Sequence, residues 1–165
     1  MPILRQLSVT FHVLAAMVWL GGMFFLALVG APVLRKLESP SLRARLFREL
    51  GEGARRVGWV CIGVLLVTGV TNLHFRGVLS LATRGEATFW NAPFGHALAW
   101  KLVAVGVMVG ASAVHDFFLG PLAGRLPEGT DGRERARRWS AIVARLNAGI
   151  GVFLVYWAVR LSRGG

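Results

Sequence analysis

The sequence predicts an all-α integral membrane protein, a single-domain antiparallel bundle of four transmembrane helices with both termini outside. Three observations lead to this fold class: four long apolar runs, the absence of the period-two alternation that marks strands, and a strong bias of positive charge between alternate loops. Of the 165 residues, 55% are hydrophobic and only 16% are charged, which is less charge than soluble domains of this size carry.

The four apolar runs define the predicted helices. They extend over residues 7–33, 57–75, 97–123 and 139–161. Each run is long enough to cross a hydrocarbon core of about 30 Å, which needs roughly 20 helical residues. An unpaired strand cannot satisfy its backbone in lipid, so the runs are predicted to be helices. The first run is longer than a signal-peptide core and lacks a clear cleavage site, so we expect it to be a retained helix.

The distribution of Arg and Lys predicts the orientation. Segments 35–56 and 124–138 carry twelve of the nineteen cations, whereas the loops and ends on the other side carry five. The positive-inside rule places the twelve in the cytoplasm of a bacterium, so the chain is expected to be a multi-pass protein of the inner membrane. The net charge of +11 does not indicate nucleic acid, because the cations alternate with apolar runs. The first inner segment is expected to be partly helical, with Ser39 or Ser41 as its cap.

A weak internal repeat relates the first and third helices. The first ends in GAPVLRKL and the third in LGPLAGRL, and both run from outside to inside. Pro32 follows His12 by twenty residues, and Pro121 follows Lys101 by twenty residues. His12 and Lys101 are therefore predicted to lie at similar depth.

The same count applies to the second and fourth helices. His74 lies eighteen residues after Arg56, and Tyr156 lies eighteen residues after Arg138. The sequence thus predicts one outer layer with one polar side chain from each helix, within about one helical turn. Its members are His12, His74, Lys101 and Tyr156.

Ionisable side chains inside a membrane are costly and indicate function. Two imidazoles at similar depth on adjacent helices, His12 and His74, suit the axial positions of a b-type haem. Small residues on the face of His12 leave room for a macrocycle, although they also allow close helix packing. His96 is expected at the aqueous rim and would replace His74 if the layer were displaced by one turn. In either arrangement, Lys101 and Tyr156 would hold the haem propionates.

The inner half of the third helix contains a second polar group. His115 has no second inner histidine as a partner, so a structural or proton-linked role is favoured over metal ligation. Asp116 is expected to pair with Arg145 of the fourth helix, because an unpaired charge at that depth is unfavourable. The Gly106-x-x-x-Gly110 motif permits close contact between helices and is consistent with a homodimer.

Several of these motifs, in this order, resemble the CopD-like copper resistance membrane proteins. The first helix matches through His12, Trp19, Gly21, Gly22 and Pro32. The stretches LLVTGVTN at 65–72, FGHALAWKL at 94–102 and HDFFLGPL at 115–122 resemble later helices of that family. The resemblance implies an inner-membrane helical bundle linked to copper uptake or tolerance. HemJ-type protoporphyrinogen oxidases share the His-, Trp- and Gly-rich first helix and imply a bound haem.

The chain departs from the copper pattern in its number of helices, which is smaller than in longer CopD proteins, and in its methionines. Soft thioether ligands favour Cu(I), but beyond Met1 the methionines are only Met17, Met23 and Met108. The favoured prediction is therefore a b-type haem redox protein that passes electrons from a donor such as a quinol to a periplasmic redox protein. The first alternative is copper transport or resistance, with His12, His115 and the three methionines along the route and a periplasmic copper protein as partner. The second is an oxidase acting on a porphyrin intermediate.

Overall fold

A computed structural model describes residues 2–80, 86–127 and 129–164. Every regular element in these ranges is helical. The described residues form two compact units, which divide between residues 85 and 86. Each unit is a helical hairpin, and we refer to residues 2–80 as the first hairpin and to the described residues from 86 onward as the second hairpin.

The first hairpin consists of two long, antiparallel helical arms. Its first arm is helix α1 (Pro2–Phe25), a π-helical segment π1 (Leu26–Gly30) and helix α2 (Ala31–Arg35). A short turn leads to α3 (Pro40–Phe75), whose 36 residues make it about 54 Å long. The Ser39 hydroxyl caps α3 by accepting a hydrogen bond from the Leu42 amide at 3.4 Å, which confirms one of the two predicted caps. The Arg-rich segment that the sequence predicts inside is therefore the first part of α3. Following the predicted orientation, we call the turn end of each hairpin its inner end and the opposite end its outer end.

Small and aromatic side chains pack α1 against α3. Ala15 and Trp19 of α1 and Cys61 and Ile62 of α3 are buried. Trp19 lies beside Gly58, because a Cβ at that glycine would be 3.8 Å from the indole ring. Most other apolar side chains point away from the hairpin, and Leu28 is 72% exposed. Such outward apolar surface is the expected surface of a helix in lipid.

The second hairpin has the same plan with one additional short helix. Helix α4 (Ala87–Asn91) precedes α5 (Pro93–Ala113), which continues through a second π-helical segment π2 (Val114–Leu119) into α6 (Gly120–Arg125). The return arm is α7 (Asp131–Ser162). The buried interface between α5 and α7 consists of small residues, the larger apolar residues Leu98 and Met108, and two polar side chains. Its members include Ala97, Leu98, Ala104, Met108, Ser112, Asn147 and Gly151.

The π-helical segments support the internal repeat that the sequence suggests. In each hairpin the first arm changes from α to π, and a proline occupies the second position of the helix that follows, at Pro32 and at Pro121. Four helical segments of the described chain are long and apolar enough to cross a membrane: Pro2–Arg35, Pro40–Phe75, Pro93–Arg125 and Asp131–Ser162. The all-helical class and the presence of four helices able to span a membrane are thereby confirmed. The joining of the hairpins into a single-domain bundle and the outside position of the termini stay predictions.

Candidate functional site

A polar pair lies inside the interface of the first hairpin. The His12 imidazole of α1 is half-buried, and its Nδ1 lies 2.8 Å from the hydroxyl oxygen of Thr68 on α3. The same ring contacts Gly69, where a Cβ would be 3.7 Å from His12 Cε1. His12 is therefore held from the opposite helix within a segment suited to a membrane.

Two further side chains extend this pair toward the outer end. Ser8, one turn before His12, donates a hydrogen bond to the Thr68 carbonyl at 3.4 Å. Asn72 lies one turn after Thr68 on the same face of α3. Its Oδ1 is buried and accepts no hydrogen bond from the described residues. Together, Ser8, His12, Thr68 and Asn72 form what we call the polar stripe.

Soft donor atoms continue inward from the polar stripe along the same interface. Cys61 is buried seven residues before Thr68, a distance of about 10 Å along α3. Met23 is half-buried and lies eleven residues after His12, about 16 Å along the helix. Met17 points away from the hairpin and is 65% exposed. Of the predicted first-hairpin thioethers, only Met23 thus lies partly within the helix interface.

The structure does not bring His74 to the level of His12. His74 lies six residues beyond Thr68, about 9 Å farther toward the outer end of α3. Its ring is exposed and lies beside that of Phe75, with 6.1 Å between the centroids. Two axial ligands must reach one iron atom, and this placement separates them along the helix axis. The predicted haem pair therefore has no support from the first hairpin.

The outer end of the second hairpin contains an aromatic cluster. The rings of Trp100 and Trp157 are stacked at 17°, with 6.4 Å between centroids. His96 Nε2 accepts a hydrogen bond from the Trp100 indole at 3.4 Å, and Tyr156 packs edge-on against Trp157 at 5.5 Å. Lys101 is the next residue after Trp100 and Tyr156 precedes Trp157, so the two lie near the level of this stacked pair. The cluster was missed at the sequence level, although the four-residue spacing of His96 and Trp100 is a signal for it.

Two polar pairs occupy the inner part of the second hairpin. The Asn147 side-chain amide donates a hydrogen bond to the Ser112 hydroxyl at 2.8 Å, and both residues are buried. One turn inward, in π2, His115 Nδ1 lies 2.8 Å from a carboxylate oxygen of Asp116. Asp116 therefore has a hydrogen-bonding partner beside it in sequence, while its predicted partner Arg145 has an exposed side chain that lines an open apolar groove.

No group of three or more His, Cys, Asp or Glu side chains converges as a metal site among residues 2–80, 86–127 and 129–164. A closed structural metal site usually has four protein ligands, often Cys and His. In the described residues, the candidate metal ligands of the first hairpin, His12, Cys61 and Met23, instead occur singly, one after another along the helix interface.

Comparison with known proteins decides the family. The model of the family described as copper resistance protein D (CopD) matches residues 52–161, two-thirds of the chain. The chain belongs to the CopD family. The resemblance deduced from the sequence motifs is thereby confirmed for this family.

A full-length relative extends the comparison to the first helix. An uncharacterized protein of Aquifex aeolicus (strain VF5) is 30% identical over 165 residues, which cover 99% of each chain. No solved structure matches the chain. The CopD match includes Thr68 and the second hairpin as far as residue 161, whereas the alignment with the Aquifex protein spans the α1 region that contains His12. Neither comparison points to haem.

Proposed function

We propose that this CopD-family membrane protein transports copper across a bacterial inner membrane, and that His12 binds the ion on its way. One observation supports this function above all others. In a chain of the copper resistance D family, a histidine lies half-buried between two helices that can span a membrane. A histidine in such a position is a functional hypothesis by default, because the membrane disfavours it otherwise.

The donor chemistry of the first hairpin fits Cu(I) as cargo. Thiolate and thioether sulfurs favour Cu(I), and imidazole also binds copper. Cys61 and Met23 follow His12 inward along the same interface. Their separation by one or more helical turns suits an ion that moves between weak sites, whereas a closed four-ligand site would retain it.

The second hairpin supplies another line of candidate donors. Met108 is 3% exposed and lies seven residues before His115, about 10 Å along the arm. Both side chains were predicted on the copper route. The hydrogen bond between His115 and Asp116 leaves a proton-linked role equally consistent with the geometry, so we assign the copper-binding role to His12 first.

The outer position of the polar stripe suggests where exchange takes place. With the termini outside, Ser8 and Asn72 lie between His12 and the periplasm. A periplasmic copper protein is then the natural partner for delivery or collection of the ion at this end. The haem and porphyrin-oxidase alternatives are not favoured by the family match or by the placement of His74.

Copper transport by the purified protein tests the proposal. We expect proteoliposomes that contain the wild-type chain to transport Cu(I), and the variant His12→Gln to lower the initial rate by more than about 100-fold, because a ligand matters more than the groups that orient it. His74→Gln is the matched control, since His74 is exposed, and it should keep the wild-type rate.

Metal analysis of the same preparation separates the alternatives. Colourless protein that binds copper through His12 agrees with the proposal. A red preparation with bound iron, haem absorption bands and copper at background would instead establish the haem protein. A His12→Gln variant that transports copper as fast as wild type would refute the role of His12.

A further inference from the structure

We infer that Thr68 is a positioning residue that holds His12 with its proton on Nδ1, so that Nε2 is the nitrogen that binds copper. The identity of the ion rests on the proposed function. The protonation of the ring rests only on the hydrogen bonds of the first hairpin and can be tested without metal.

The direction of the hydrogen bond follows from the single hydroxyl proton of Thr68. The Thr68 hydroxyl lies 2.6 Å from the Val64 carbonyl oxygen and donates to it. A carbonyl oxygen cannot donate, so this proton is committed to Val64. The Thr68 oxygen can then only accept in its 2.8 Å contact with His12. Nδ1 of His12 must therefore be the donor.

This arrangement decides which ring nitrogen can act as a ligand. A neutral imidazole carries one proton, and with that proton on Nδ1 the lone pair is on Nε2. Metal-binding histidines are commonly oriented in this manner, through a hydrogen bond from the nitrogen that does not bind the metal. Thr68 on α3 thus orients a side chain of α1 so that Nε2 can bind the ion.

Gly69 lies beside the edge of the His12 ring and adds no side chain there. A Cβ at this position would be 3.7 Å from His12 Cε1, the carbon between the two nitrogens. A methyl group fits at that distance, whereas a longer branched side chain would extend over the ring edge toward Nε2. Gly69→Ala should therefore preserve binding, and Gly69→Leu should reduce it.

Nitrogen-15 NMR of histidine-labelled full-length protein in lipid nanodiscs tests the positioning without copper. The His12 signals are assigned by their loss in His12→Gln. Wild type and Thr68→Ser should show Nδ1 protonated, whereas Thr68→Val should show a mixture of tautomers. Thr71→Val is the matched control, because Thr71 makes the same kind of bond to the Val67 carbonyl, at 2.9 Å, three residues along α3. An unchanged His12 spectrum in Thr68→Val would overturn the inference.

Cu(I) affinity, measured by competition with a chromophoric Cu(I) chelator, completes the test. Thr68→Val should weaken binding by about 10- to 100-fold, as is typical for loss of a group that orients a ligand. Thr68→Ser and Thr71→Val should bind as wild type does. If the tautomer responds to Thr68 but the wild-type protein binds no copper, the proposed function fails and the positioning of the imidazole stands. If affinity falls equally in Thr68→Val and Thr71→Val, the positioning role is refuted.

Discussion

The two hairpins have the same plan but differ in how their arms are aligned. In the second hairpin the Ser112–Asn147 hydrogen bond shows that these two residues lie at the same depth on the two arms. Pro121 lies nine residues inward of Ser112, and Arg138 lies nine residues inward of Asn147. Pro121 and Arg138 therefore lie at the same depth along the second hairpin. In the first hairpin Trp19 is level with Gly58, and Pro32 lies thirteen residues inward of Trp19. The residue of α3 level with Pro32 is therefore near position 45.

The difference arises from the length of the Arg-rich start of each return helix. Helix α3 begins sixteen residues before Arg56, whereas α7 begins seven residues before Arg138. In the first hairpin the apolar inner end of the first arm thus packs beside a charged helical segment. The charged residue before an apolar run therefore indicates depth well only when few residues of the same helix precede it, as in α7.

The strongest test of this comparison is the orientation of each hairpin. Because twelve cations lie in the two inner segments and five on the other side, both turns are expected in the cytoplasm. A periplasm-dependent reporter fused after residue 165 should be fully active, and one inserted at 36–39 or at 129–130 should be inactive. Activity at only one of the two turns would show that the hairpins insert in opposite senses.

The next largest expected difference between the hairpins is in the effect of a Gly→Ala substitution on the free energy of unfolding. A Cβ at Gly95 would overlap the Phe89 carbonyl oxygen and would lie 2.9 Å from Trp90 Cα, whereas a Cβ at Gly21 meets nothing within 4 Å. Gly95→Ala should lower the free energy of unfolding by about 3 kcal/mol, because the backbone of α4 must move. Gly21→Ala should leave it unchanged or raise it slightly, since Ala favours helix. Unfolding in mild detergent would measure both, and equal stabilities would contradict the packing of α4 against α5.

The smallest expected effect concerns the buried hydrogen bond between the arms of the second hairpin. Ser112→Ala or Asn147→Leu should each lower stability by about 1 kcal/mol, within the range for polar contacts between membrane helices. The double variant should be no less stable than the worse single variant, because both changes remove one shared bond. Losses that add in a double-mutant cycle would show that the two side chains do not interact.

Pattern and composition were enough to predict the helices and their number. Hydropathy marked the spans because lipid demands about 20 apolar residues. The helical start of α3 was expected because Leu42, Leu46, Phe47 and Leu50 recur along one face. The π-helical segments were not predicted, since neither LALVG nor VHDFFL has a composition that distinguishes π from α geometry.

The candidate site was predicted in part. His12 was selected because an imidazole is unfavourable in lipid, and the structure places it half-buried between helices. Its partner was not predicted, because Thr68 is a neutral residue that can also satisfy its hydroxyl within its own helix. His74 was selected through a count from Arg56, and the count failed because helix packing, not the position of the first charge, sets the alignment. The depth of Tyr156 in the outer layer, from the same count after Arg138, stays a prediction.

The π-helical segments have a consequence for how such a chain can vary. A π segment accommodates an extra residue in an otherwise α-helical arm, and one residue corresponds to about 100° of rotation. Because the wider π turn absorbs that extra residue, deletion of one residue within 26–30 would restore a regular helix and leave α2 with Pro32 facing as before, and Ser8 and His12 would keep their facing toward α3. The π segment thus keeps the facing of the inner end in phase with that of the outer end despite the extra residue. A one-residue insertion or deletion, which would rotate the rest of a continuous helix by about 100°, can therefore be absorbed in this segment.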